Sequence, residues 1–359
     1  MEQLYEIGEW VVDKNNVLGG GTFGKVYLCH KKNNPQQKYA AKCIPLTVNT
    51  QKINNELTIF NKAQSCKYVV TMHSFSKTNN SVYIFMDLCN EGSLTNYVRK
   101  RQRLDLNQSV DFLRKLVEGY SYLRVQNVMH RDLKPDNVLI DNGIPRLTDF
   151  GLSKICDDYQ QLTEAQTKSL VGSEYYMAPN LLVYVIEAYR QKGKLSKSPK
   201  YTDKCDVWSM GIIFYFMLVG QIPWKHENST EIFLRNIMTR PIGMDSNWPI
   251  VVQHLLIRML NVSEENRISW EEVFQHPLIN PDVMKNLNQR QVEQIFVQQI
   301  QQYISTYPPQ NQYQFQYQPQ QNFQATYNNT APNQQKSMGQ QMMKKDIQDD
   351  MGMDYDEDD

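Results

Sequence analysis

A change of hydrophobic periodicity near residue 90 limits the fold more than any other feature of this chain. Before it, short apolar runs alternate with turns. Trp10-Val11-Val12 and Lys25 to Cys29 flank a glycine-rich turn, Tyr39 to Ile44 follows the polar run Lys31 to Lys38, and Val82 to Met86 is a further buried strand. Residues 50–64, with Glu56, Leu57, Ile59 and Phe60, read as a helix. From about 94 to 280 helices dominate. Leu113, Leu116, Val117, Tyr120 and Leu123 recur at three-to-four spacing and fall on one face. A small β-rich part followed by a larger helical part implies an α+β fold of two lobes with a cleft between them.

The 359 residues are 41% hydrophobic, ample for a core of that kind, so neither global disorder nor a disulfide-stapled miniprotein is expected. Charge is balanced at 38 basic and 38 acidic groups, but unevenly placed. Eight of the fourteen residues from Asp346 to Asp359 are acidic, so residues 1–345 carry 38 − 30 = +8. This is a mildly basic body with an acidic tail, and nothing in it calls for nucleic acid as a partner. The tail either stays solvated or folds onto a basic segment. Six cysteines without C-x-x-C spacing read as reduced thiols. The start, Met1 to Gly8, is unlike a signal peptide, and the most apolar run, Met210 to Gly220, is too short to span a bilayer. A soluble intracellular protein of the cytoplasm, or of the nucleus, is expected.

After Pro281 the composition shifts. Met284, Leu287, Val292, Phe296, Ile300 and Ile304 form a helical stripe, which predicts an amphipathic helix over 281–304. Residues 305–335 then hold fifteen Gln or Asn and no charge, which predicts disorder over 305–359. That segment is either an inert spacer or a self-association element.

The first chemical motif is Leu18-Gly19-Gly20-Gly21-Thr22-Phe23-Gly24-Lys25-Val26. Glycines allow close backbone approach to phosphate and leave amide N–H groups free for anions. By itself the pattern is equally well a plain hairpin turn. A P-loop needs Ser or Thr after Gly-Lys, and Val26 stands there; a dinucleotide fingerprint opens a helix, and a strand-like run follows here. Downstream, Tyr39-Ala40-Ala41-Lys42 puts a lysine on the next long strand, and Glu56 sits on the following helix able to reach it. Then come His130-Arg131-Asp132-Leu133-Lys134-Pro135-Asp136-Asn137 and, twelve residues on, Asp149-Phe150-Gly151.

With these elements in order, residues 5–280 closely resemble a eukaryotic protein kinase of the serine/threonine type. The resemblance implies the two-lobed kinase fold, a small β-rich N lobe over about 5–88 and a larger helical C lobe over about 89–280. It implies ATP and Mg²⁺ as cofactors, and proteins with Ser or Thr acceptors as substrates. Lys42 and Glu56 would orient ATP, Asp132 would handle the acceptor proton, Lys134 would neutralise charge, and Asn137 and Asp149 would hold magnesium. Nucleotide would lie against Leu18 to Val26, Ala40, Lys42, the gatekeeper Met86, the hinge from Asp87 to Cys89, and Ser93. Gly172 to Asn180 resembles the end of an activation segment, with Ser173 beside the catalytic groups. Asp206-Val207-Trp208-Ser209-Met210-Gly211 resembles the start of a buried helix that anchors the catalytic loop. Arg267-Ile268-Ser269 and His276-Pro277 match the closing segment. Arg131 implies a regulatory phosphate, with Ser169 the first position for it and Thr163 and Thr167 behind it, added by an upstream kinase or by the chain itself. The hinge and loop phrases resemble autophagy-initiating kinases of the ULK/Atg1 type.

The chain departs from the family at several points. Asn180 stands where a glutamate would pair with Arg267, and Glu187 is the sequence's candidate to replace it. The stretch from Asn180 to Asp206 is roughly ten residues longer than usual and carries Arg190, Lys192, Lys194, Lys197 and Lys200. Glu174 replaces the common proline of the peptide-docking turn. The competing reading is a kinase-like scaffold that works by binding partners. A small-molecule or lipid kinase is opposed by the docking motif Gly172 to Pro179.

Overall fold

Strands that follow one another through short turns pair with one another, and the N-terminal part does so with one exchange. In a computed structural model, residues 4–21, 24–48, 50–155, 174–191, 201–225, 229–286 and 288–307 are described. The strands are β1 (Leu4–Ile7), β2 (Trp10–Gly21), β3 (Gly24–Lys31), β4 (Asn34–Pro45), β5 (Met72–Lys77) and β6 (Ser81–Asp87), with helix α1 (Thr50–Ala63) between β4 and β5. They form a six-stranded antiparallel sheet in the order β1-β2-β3-β4-β6-β5.

The two-residue period of β4 divides this lobe's side chains between two cores. Tyr39 and Ala41 join Trp10, Val12, Cys29, Tyr83 and Phe85 on the outer face, where Trp10 stacks on Phe85 at 4.6 Å. Ala40 and Ile44 face the other way, into the main core with Ile53, Ile59 and Phe60 of α1. Lys42 shares their parity, so the pleat aims it toward α1 rather than at solvent.

The C lobe continues with α2 (Leu94–Arg101), α3 (Leu106–Val125), β7 (Val128–Met129), the hairpin β8 (Val138–Asp141) and β9 (Ile144–Leu147), and β10 (Lys154–Ile155). Then follow α4 (Pro179–Arg190), α5 (Lys204–Val219), α6 (Thr230–Thr239), α7 (Ile250–Met259), α8 (Trp270–Gln275) and α9 (Gln289–Ser305). Asp105 caps α3 by accepting the Gln108 N–H at 2.8 Å, and the predicted stripe from Leu113 to Leu123 is buried. Helix α5 is buried along almost its whole length. Gly211 permits this, because a β-carbon there would meet Leu260 and Met259 at 2.9 and 3.0 Å. The lobes meet at the chain after Asp87 and through backbone bonds from Leu147 N–H to Tyr68 (2.8 Å) and from Val70 N–H to Leu147 (2.9 Å). No helix among the described residues is long and apolar enough to cross a membrane.

The helix expected from 281 begins at Gln289, because Asn288 caps it and a 3-10 turn occupies Pro281–Asn286. Leu287 lies outside the described residues. Phe296, Ile300, Tyr303 and Tyr307 are buried in the main core, so the packed body runs past residue 280 to Tyr307. Residues 308–359, including most of the expected disordered tail, lie outside the described residues.

A chain of hydrogen bonds fastens α9 to α7. Leu278 N–H donates to His276 Nδ1 at 3.2 Å, His276 Nε2 meets His254 Nδ1 at 2.9 Å, and His254 Nε2 meets Gln299 Oε1. Since His276 Nδ1 accepts, His276 Nε2 carries the donated proton; His254 Nδ1 then accepts and its Nε2 donates to Gln299. Both rings are neutral, and His254 stacks on Phe296 at 3.8 Å. Burial lowers the His254 pKa to about 4 and that of His276 well below its usual value. The unfolded chain, with histidines near 6.5, binds more protons below that pH, so stability is complete above about 6.5 and declines as pH falls toward 4. The slope is at most about 1.4 kcal/mol per pH unit for each ring. Thermal unfolding at pH 7.5 and 5.5 checks this: the expected result is a lower midpoint at 5.5, with a smaller pH difference in His254→Gln. An unchanged difference contradicts it.

Candidate active site

The loop from His130 to Asn137 takes its shape from one buried carboxylate. Asp206, wholly buried near the start of α5, accepts the backbone N–H groups of His130 (2.9 Å) and Arg131 (3.0 Å). It also accepts the hydroxyls of Tyr120 (2.7 Å) and Tyr201 (2.8 Å). Burial, reinforced by the Asp206 charge, holds both tyrosine pKa values well above the usual range, so both remain donors. The sequence pointed to Asp206 as an anchor but not to the tyrosines. A buried tyrosine needs a hydroxyl partner, and that is the signal Tyr120 offered within its apolar stripe.

Arg131 adopts a left-handed backbone, φ 66°, and its guanidinium lies over the Tyr201 ring at 5.1 Å. Beyond this bend Asp132 Oδ2 accepts Lys134 Nζ at 2.7 Å and Asn137 Nδ2 at 2.8 Å. His130 donates from Nε2 to the Thr148 carbonyl at 3.1 Å and receives the Asp132 N–H on Nδ1 at 3.4 Å, tying the loop to the strand end that carries Asp149.

Across the cleft Lys42 Nζ lies 2.6 Å from Glu56 Oε1 and 2.8 Å from Asp149 Oδ1. The contact predicted for Lys42 and Glu56 is therefore made. Burial opposes charge on Lys42, but the two carboxylates outweigh it and raise its pKa. Burial likewise opposes charge on Asp149, and Lys42 outweighs it, so this carboxyl sits below its usual range. Asp149 has φ 63°, and Phe150 is buried edge-on against Phe60 of α1 at 5.1 Å, so one dipeptide joins α1 to the catalytic loop.

Leu18 to Gly21 end β2 and Gly24 to Val26 open β3, with Gly20 opposite Lys25. The glycine-rich motif thus lies on two paired antiparallel strands and not at a helix start; Thr22 and Phe23 lie outside the described residues. Gly24 is required, since a β-carbon there would overlap the Cys43 carbonyl oxygen. Ala40 pairs with Met86 and Lys42 with Ile84, which sets the lysine beside Met86, the expected gatekeeper. Asp87 closes β6, Cys89 is buried, and Ser93 caps α2 by accepting the Asn96 N–H at 3.4 Å.

The chemistry of the donor set fits a hard cation held jointly with phosphates. Asn137 spends its amide N–H groups on the Asp132 carbonyl and carboxylate, and Asp149 gives Oδ1 to Lys42. An amide oxygen and a carboxylate oxygen remain as ligands. No cluster of three or more His, Cys, Asp or Glu suited to a metal occurs among the described residues.

The Asn180 departure is resolved in a way the sequence did not indicate. Glu187 follows Asn180 by two helical turns, about 10 Å along α4, and lines a groove with Val183, Ile186 and Leu234. It therefore does not stand in for the missing carboxylate. Glu264 instead accepts the Asn180 amide at 3.2 Å and the Thr202 hydroxyl. Arg267 is buried and donates to the carbonyls of Asn261 (3.0 Å) and Lys204 (2.9 Å), while burial lowers its pKa. Lys192, Lys194, Lys197 and Lys200 of the basic insert, and Thr163, Thr167, Ser169, Gly172 and Ser173 of the activation segment, lie outside the described residues. Glu174 accepts the Thr230 hydroxyl at 2.8 Å and so ties the docking turn to α6.

A family model described as protein kinase domain matches residues 12–279. Among curated proteins, the chain is 28% identical over 292 residues to a Dictyostelium discoideum protein named serine/threonine-protein kinase atg1, covering 77% of this chain and 40% of that protein. It is 30% identical over 281 residues to serine/threonine-protein kinase PEPKR2 of Arabidopsis thaliana, covering 76% and 53%. It is 25% identical over 299 residues to human serine/threonine-protein kinase ULK1, covering 78% and 26%. The chain thus spans about half or less of the length of these relatives.

Removing the Glu264 carboxylate leaves the Asn180 amide with only the Cys205 sulfur at 3.6 Å and takes away a negative charge that favours buried Arg267. Glu264→Ala is expected to cost about 1–2 kcal/mol. Denaturant unfolding measures it, and a change within about 0.5 kcal/mol contradicts the assignment.

Proposed function

The chain belongs to the protein kinase family, and on that premise we propose that it is an active serine/threonine kinase that phosphorylates proteins. The observation that carries this reading is the assembled constellation in one cleft: Lys42 bound to both Glu56 and Asp149, facing Asp132 with Lys134 and Asn137 on its carboxylate.

In the proposed reaction the acceptor hydroxyl oxygen attacks the γ-phosphorus of ATP, and the bond from that phosphorus to the β–γ bridging oxygen breaks. The hydroxyl proton passes to Asp132, and the products are ADP and a phosphoserine or phosphothreonine. Lys42, held by Glu56, binds the α- and β-phosphates. Lys134 stands 2.7 Å from Asp132 and neutralises charge on the transferred group; it is also the residue that favours Ser and Thr over Tyr. Asn137 and Asp149 would hold Mg²⁺, which when bound neutralises phosphate charge. The backbone of Asp87 to Cys89 would pair with adenine beneath the glycine-rich hairpin.

Arg131 is the expected receiver of a phosphate on Ser169, placed there by another kinase or by this one. A cytoplasmic or nuclear setting belongs to the same proposal and accords with the free thiols of Cys29, Cys43, Cys66, Cys89 and Cys205.

Labelled Mg-ATP with a generic protein substrate tests the reading. Label is expected on Ser or Thr, falling on the order of 100-fold or more in Asp149→Asn. A Ser169-phosphorylated preparation that binds Mg-ATP yet transfers nothing would leave the scaffold reading in its place.

A further inference from the structure

Asp87 has a second environment besides the cleft. Its Oδ1 lies 2.7 Å from His73 Nε2 on β5, the edge strand of the N lobe, and its Oδ2 accepts Arg146 Nη1 at 2.8 Å from β9 of the C lobe. The same guanidinium reaches Asp141 Oδ2 on β8 at 3.1 Å. Further along the hinge, Asn90 and Asn142 exchange hydrogen bonds at 2.9 and 3.1 Å, and Gly143 N–H donates to Glu91 at 2.6 Å. These later contacts fasten the hinge to the C-lobe hairpin alone. The Asp87 carboxylate is the member of the series that is also held by an N-lobe side chain.

A single exposed ion pair contributes little. Here His73 and Arg146 converge on one carboxylate and Asp141 holds the same guanidinium, and each side chain is at most about one-third exposed: His73 31%, Asp87 27%, Arg146 19% and Asp141 16%. The His73 ring is fixed edge-on against Tyr39 at 4.9 Å, and the guanidinium is a rigid fork, so little side-chain freedom remains to be lost. Arg146 also sits three residues before Asp149, on the strand whose Leu147 bonds to the N lobe through Tyr68 and Val70.

We propose that His73, Asp87 and Arg146 form an interlobe clamp that limits opening of the nucleotide cleft and so sets how fast nucleotide leaves. The clamp deepens the kinase reading and, as a control on nucleotide release, rests on it. His73 and Arg146 act as positioning residues through Asp87. Asp87 ends β6, the partner of β5, so opening the cleft draws its carboxylate, oriented by His73, away from Arg146 on β9.

Two variants preserve packing and remove one link each: His73→Phe and Arg146→Met. Amide hydrogen exchange of residues 87–92 in the nucleotide-free protein and dissociation of a fluorescent ADP analogue are the readouts. Each variant is expected to accelerate both by about threefold to tenfold, and Arg146→Lys to restore part of the loss. The double variant should exceed neither single by much, because both act on one carboxylate. Unchanged hinge exchange in both single variants, or effects that simply add, overturns the clamp. Hinge exchange that responds while a Ser169-phosphorylated preparation binds Mg-ATP but transfers no phosphate keeps the clamp and removes the active-kinase reading. Phosphate transfer with an unresponsive hinge does the reverse.

Discussion

The half of this protein that carries the candidate active site is organised around the carboxylate of Asp206. A charge so far from water is tolerated only where hydrogen bonds replace its hydration, and four donors converge on it here. Two of them are consecutive backbone N–H groups, His130 and Arg131. Holding both at one carboxylate bends the chain into the left-handed conformation of Arg131, which non-glycine residues adopt at a cost. The bend delivers Asp132 to the cleft, and Lys134 and Asn137 then close on it from the following turn. The tyrosines link the same anchor to α3 and to the segment that precedes α5.

The N lobe reaches this frame through Lys42. Strand parity places it on the face toward α1, and charge decides its partners. Glu56 alone would fix the lysine to α1; the added bond to Asp149 fixes α1 to the C lobe as well. Phe150 adds apolar contact along the same line, against Phe60 above and the His130 ring at 5.3 Å. Positioning thus extends from the sheet to the catalytic loop through a few short contacts, which suits a reaction whose main demand is alignment and charge neutralisation.

Much of this was legible in the residues because it is local. The β-to-α change, the stripe of α3 and the lysine on β4 follow from periodicity, and Asp132, Asn137 and Asp149 lie in unbroken motifs. What escaped depends on pairs distant in sequence. Glu264 lies 84 residues from Asn180, and no spacing rule picks it over Glu187, which stands nearer in the chain but two turns away in space. The His73–Asp87–Arg146 link joins three elements, and each member alone reads as an ordinary surface charge. The apolar stripe continues back through Pro281–Asn286, but the capping side chain of Asn288 decides where the regular helix α9 begins. Periodicity identifies faces, whereas caps and long-range polar contacts set ends and partners.

If the Asp206 carboxylate sets the geometry of the proposed catalytic loop, replacing one of its oxygens by an amide NH2 should undo that geometry while leaving the proposed ATP contacts of the other lobe. The direct measurement is phosphate transfer and ATP affinity in Asp206→Asn against the unaltered protein, with circular dichroism to follow the fold. The expected result is a retained fold, ATP affinity within a few-fold, and turnover reduced on the order of 100-fold. Turnover equal to that of the unaltered protein would contradict the account, because the catalytic loop would then hold its shape without the carboxylate.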